Sequence, residues 1–70
     1  MIEIQNCYIN LRYVMMWETD YVSTEVDIFT IDLYFPGRED PKVFVYRNKT
    51  EWERDVKRLK AAWEKLKNEA

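Results

Sequence analysis

The chain has no histidine and only one cysteine, Cys7, in seventy residues. Those two absences remove much chemistry. Without histidine, no side chain titrates near neutrality in its ordinary state, and neither a Ser–His nor a Cys–His pair can form. One cysteine closes no disulfide within the chain, and with no histidine beside it a tetrahedral zinc site cannot be completed. Glycine occurs once, at Gly37, too few for a loop that cradles phosphate. No apolar run approaches the roughly 20 residues of a membrane span, and the opening MIEIQNCYINL lacks the basic start of a secretory signal. The expectation is a cytoplasmic protein (in the host cytoplasm, if viral) without membrane contact or cofactor. No basic residue lies between Arg12 and Arg38.

What is present fits a folded domain. Aromatics make up 16% and charged residues 34%, unlike a disordered segment. A chain of this size buries only about 60% of its unfolded surface and is marginal alone. With disulfides and zinc excluded, oligomerisation is the remaining support, so a homodimer is expected.

Apolar periodicity predicts strands at about 2–5, 11–18, 25–35 and 42–47 and a helix at about 51–68. Pro36-Gly37 ends the third strand, and Thr19 to Thr24 reads as a polar connection, with breaks near Asn6 and Asn10. Thr50 with Glu53 has the spacing of a capping box. Trp52, Val56, Leu59, Trp63 and Leu66 form a narrow apolar seam along the helix. Short loops between successive strands favour a meander. The expected fold is α+β: a three- to four-stranded antiparallel sheet with one C-terminal helix packed on it, in a single domain.

The stretch EVDIFTIDLYF, residues 25–35, is apolar on both sides. Phe29, Ile31, Leu33 and Phe35 point one way, while Val26, Ile28 and Tyr34 point the other way beside Thr30 and Asp32. A helix about 10 Å across covers about half of one face of a four-stranded sheet about 19 Å wide. The row Val14, Met16, Val26, Ile28 and Tyr34 is therefore expected to remain uncovered and to drive self-association, by the sheet face or by the Trp52–Trp63 seam.

Charge is divided along the chain. Residues 1–37 hold one basic residue against six acidic ones, a net of −5, and residues 38–70 hold ten against seven, a net of +3. Glu18, Asp20, Glu25, Asp27 and Asp32 are the candidate acidic surface for a basic partner, such as a host nucleic-acid-binding protein. Arg54, Lys57, Arg58 and Lys65 form a basic helix stripe, the alternative route to nucleic acid. Tyr8, Tyr13, Trp17, Tyr21 and Tyr34 are available for base stacking wherever the fold displays them.

Other chemical signals are weak. Cys7 lies in an apolar stretch and reads as a small core residue. The acidic residues match no calcium loop. Asp32 with Asp40-Pro41-Lys42 has the letters of a nuclease element, but in a proline-bearing turn. Asn48-Lys49-Thr50 is a glycosylation sequon that the helix cap explains better. No catalytic residue is expected.

The order YINLRYVMMWE, a strand ending in FPG, then KVFVYRNKTEWERDVKRL resembles small strand–strand–strand–helix proteins of phages, prophages and bacteria. Ile9-Asn10-Leu11 with Val14, and Thr50 with Glu53, carry the likeness. The Thr19–Thr24 insertion is longer than that pattern expects. The resemblance implies an accessory protein of a phage or mobile element and carries over no catalytic residue. The resulting expectation is a non-enzymatic protein–protein interaction module that self-associates, in its sharper form an inhibitor of a host nucleic-acid enzyme (an anti-CRISPR or anti-nuclease). A nucleic-acid-binding regulator is the alternative.

Overall fold

The computed structural model describes residues 1–69. β1 (Ile2–Ile4) buries Ile2 and Ile4 and exposes Glu3 between them. It returns as β2 (Cys7–Ile9), with Ile2 opposite Ile9 and Ile4 opposite Cys7. Gln5 and Asn6 join them with φ of 48° and 65°. A two-residue I′ hairpin turn requires positive φ at both central positions. Asparagine tolerates that region well, and glutamine less so. The Gln5 side-chain amide is tied down by donating to the Val45 carbonyl at 2.8 Å. Asn6→Ala is expected to cost about 1 kcal/mol, which lowers the melting midpoint by about 4–8 °C, whereas Asn6→Gly leaves it nearly unchanged; thermal melts followed by circular dichroism decide this.

β2 was not foreseen, because three residues between two asparagines give too little periodicity to read. The strand predicted at 11–18 is also corrected. Leu11–Tyr13 forms a 3-10 turn, and the Asn10 side chain accepts the Arg12 N–H at 3.0 Å. An asparagine that offers a local acceptor diverts the chain from extended structure. The turn aims Leu11 and Val14, three residues apart, into the same core, where each is only 6% exposed.

β3 (Met16–Ser23) pairs antiparallel with β4 (Asp27–Tyr34), from Met16 opposite Tyr34 to Ser23 opposite Asp27. β4 pairs with β5 (Lys42–Tyr46), from Phe29 opposite Tyr46 to Leu33 opposite Lys42. Residues 19–23, read as connection, therefore continue the strand, because cross-strand hydrogen bonds rather than apolar content hold an exposed ladder. The α+β class holds, with a three-stranded antiparallel sheet, a separate two-stranded hairpin and one C-terminal helix packed on the sheet.

α1 (Lys49–Asn68) starts two residues earlier than expected. Asn48, not Thr50, is the cap, and its side chain accepts the Glu51 N–H at 3.1 Å. Leu59, fully buried, joins Phe29, Ile31, Leu33 and Phe44 of the sheet and Ile2, Ile4 and Ile9 of the first hairpin in one core. The seam expected to serve self-association is used within the chain. The Trp52 indole N–H donates to the Thr30 carbonyl at 3.0 Å, and its ring lies 5.0 Å from Phe29. Trp63 is half-buried against the core under the Lys67 ammonium.

Among the described residues, Asp55 is the one charged residue that is buried, 4% exposed. Tyr46 donates its hydroxyl to Asp55 at 2.7 Å. Arg58 donates to Asp55 at 2.9 Å and to the Glu3 carbonyl at 3.1 Å. The carboxylate thus ties β5 to the helix, and the Arg58 guanidinium bound to it ties the helix to β1. No fourth strand widens the sheet, and the core formed with the helix and hairpin buries Phe29, Ile31, Leu33, Phe44 and Tyr46 on its inner face, whereas Lys42 at the start of β5 stays exposed.

Candidate interaction surface

The outer face of the sheet is different, because no element of the described chain lies against it. By strand alternation it presents Met16, Glu18, Asp20 and Val22 from β3. β4 adds Ile28, Thr30, Asp32 and Tyr34, and β5 adds Val43 and Val45. Met16, Val22, Val43 and Val45 are 41–49% exposed. Val26, also 49% exposed, sits in the bend at the tip of the β3–β4 hairpin.

The acidic residues run between these apolar flanks. Glu18 stands directly opposite Asp32, and Asp20 opposite Thr30. Like charges directly across a ladder destabilise it. One Asp32 carboxylate oxygen and the Thr30 hydroxyl are shielded from solvent and have no hydrogen-bond partner. Desolvation, then the charges of Glu18 and Asp32, raises the Tyr34 phenol above its ordinary pKa. Asp32→Val removes both the opposed charge and the orphaned oxygen beside Val43. It is expected to raise the urea midpoint, by about 1 kcal/mol of stability; a midpoint that stays or falls would remove the claim of strain here.

The structure brings together Glu18, Asp20 and Asp32 and separates the other two acidic residues. Glu25 lies exposed at the hairpin tip, and Asp27 serves the inner side, accepting the Tyr21 hydroxyl at 2.9 Å. Val14 is buried and leaves the apolar row, whereas Met16, Ile28 and Tyr34 remain in it. Val22, Val43 and Val45 belong to the row but were missed, since their place depends on register rather than on local pattern. The free edge of β3 is partly blunted, because Asp20 accepts the N–H of Tyr21 at 2.8 Å.

The basic helix stripe is reduced. Arg58 is held inward, and Arg54 lies 3.5 Å from Asp55. Lys57 and Lys65 remain exposed and, among the described residues, outside any ion pair. Ile9, Leu11 and Val14 are core, and Asn10 is a turn cap, so these four residues perform structural work. Among the described residues, no helix is long and apolar enough to cross a membrane.

The fold and face define a small α+β chain with one uncovered, acid-lined sheet surface. Comparison with family models, with curated proteins and with solved structures finds no match to it.

Proposed function

We propose that this protein is a non-enzymatic interaction module that binds another protein through the outer face of β3–β4–β5. The observation that carries the reading is the coincidence on one uncovered face of an acidic row, Glu18, Asp20 and Asp32, with flanking apolar residues, Met16, Val22, Val43 and Val45. The matching surface carries arginine or lysine between apolar patches. Proteins that grip nucleic acid have such cationic surfaces, which supports the sharper form: an inhibitor that occupies the nucleic-acid groove of a host enzyme. The resemblance to phage accessory proteins points the same way.

A second copy of the chain suits this face less well. Two-fold, face-to-face pairing would set Glu18, Asp20 and Asp32 against their own copies, at a cost that the valines must first offset. Direct nucleic-acid binding by the helix has lost two of its four cations to Asp55.

Affinity capture with mass spectrometry tests the proposal. The wild-type chain is expected to retain proteins with basic nucleic-acid-binding surfaces, released by moderate salt, and Val43→Ser/Val45→Ser to retain none. Equal capture by both forms, or retention of acidic proteins only, would overturn it. Light scattering that finds a concentration-dependent dimer dissolved by the same two substitutions would transfer the face to self-association.

A further inference from the structure

A second surface, on the inner side of the sheet near its Pro36-Gly37 end, has the opposite electrostatic sign. A cavity of about 560 Å³ opens between β2, the 3-10 turn and the start of β5. Its floor is Ile9 and Phe35, Tyr8 and Tyr13 stand beside it, and Arg38 and Lys42 supply cations. Tyr8 is 74% and Tyr13 68% exposed, and neither hydroxyl makes a hydrogen bond among the described residues. Arg38 and Lys42 form no ion pair there either. Lys42 is 5.5 Å from the Phe44 ring centroid, a contact that orients the ammonium without neutralising it. Two exposed aromatic faces thus stand beside two cations that form no ion pair among the described residues, although Glu39 and Asp40 lie between those cations in the chain.

We infer that this cavity binds a nucleobase and its adjoining phosphate, from a mononucleotide or from an unpaired stretch of a nucleic-acid strand. Tyrosine faces stack any base, since every base presents a π-surface, and cations track the phosphate. Bases inside a duplex present no free face, so a single strand is selected. An acidic peptide would use Arg38 and Lys42 but leave the tyrosine faces uncovered. The cavity volume is ample for a base and a sugar phosphate. No residue of the outer face takes part, so this inference stands or falls apart from the protein-docking proposal.

Fluorescence anisotropy of a labelled oligothymidylate about ten nucleotides long, titrated with the full chain at low salt, tests it. Binding is expected, with a slope of log affinity against log salt of about −1.4 for two phosphates neutralised on a single strand. Tyr8→Ala and Tyr13→Ala should each weaken it about 5- to 150-fold. Tyr8→Phe and Tyr13→Phe, which keep the ring, should bind within about twofold. Arg38→Glu/Lys42→Glu should abolish binding, and Lys57→Glu/Lys65→Glu, at exposed helix positions outside any ion pair among the described residues, should leave it intact. Adenosine monophosphate should compete and inorganic phosphate alone should not; this separates a base-plus-phosphate site from a bare anion site. No rise in anisotropy at millimolar protein would overturn the inference. So would alanine variants that bind like the wild type, phenylalanine variants that do not bind, loss that follows the helix substitutions, or oligoglutamate competing as well as the oligonucleotide.

Discussion

Asp55→Ala is expected to lower stability by about 3 kcal/mol, or about 12–24 °C in melting midpoint for a domain of this size. Sequence position makes the residue look like a solvent-facing acid in the second turn of a helix. The fold instead buries it and makes it the common acceptor for Tyr46 and Arg58. Removing one member of a buried charged group leaves the others unpaired, typically at 3–5 kcal/mol. The lower end applies because Arg58 is half-exposed and can return to water. Tyr46 cannot, and its hydroxyl would be left without an acceptor. Tyr46→Phe, which removes one donor and no charge, should cost about half as much.

The same carboxylate sets an acid limit. Burial alone would raise its pKa. The hydrogen bonds from Tyr46 and Arg58, with the charges of Arg54 and Arg58, outweigh that and hold it below the ordinary value of 3.8. A group whose pKa is depressed by folding stabilises the fold above the unfolded-state pKa, and that stability is lost as pH falls toward the folded value. Stability is therefore expected to be level near neutrality and to decline below about pH 4. Asp55→Asn should flatten that decline while lowering the plateau. Urea midpoints measured from neutral to strongly acidic pH decide the matter, and an unchanged acid limb in Asp55→Asn would assign it to other carboxylates.

Reversal of the outer acidic row, Glu18→Lys/Asp20→Lys/Asp32→Lys, should weaken partner binding by at least about 100-fold. Coupling energies of close interfacial charge pairs run from about 1.5 to 7 kcal/mol, and three are reversed at once. The control is Glu25→Lys/Asp27→Lys, equal in kind but placed at the hairpin tip and on the inner side; it should change binding less than about threefold. The sequence ranks all five acidic residues together, so only the face separates the two variants. Binding measured by calorimetry against the captured partner, with circular dichroism to check the fold, gives the answer. Equal loss in both variants would mean that general negative charge, not this face, attracts the partner.

The elements were legible where a local pattern sufficed. The 2.0 period of residues 27–34 and the 3.6 period of 52–66 mark a strand and a helix whatever surrounds them, and three of the four expected strands lie where that pattern runs. The pattern failed where a polar side chain competes with the backbone. Asn10 turns Leu11–Tyr13 out of the extended state, and Asn48 takes the cap from Thr50. It failed again where pairing alone makes a strand, in residues 19–23.

The candidate surfaces divide in the same way. Composition alone excluded histidine chemistry and disulfides, and spacing alone showed that residues 26–34 are apolar toward two sides. Whether a side chain at a given parity meets a helix, a neighbouring strand or water is a long-range matter. Strand register placed Val43 opposite Asp32 and Val45 opposite Thr30, the 3-10 turn aimed Val14 inward, and the packing of the helix on the sheet brought Asp55 to Tyr46. The joining of Tyr8, Tyr13, Arg38 and Lys42 around one cavity needed contacts between residues some thirty positions apart. Such contacts carry no local signature, because the energy that fixes them comes from burying the core as a whole.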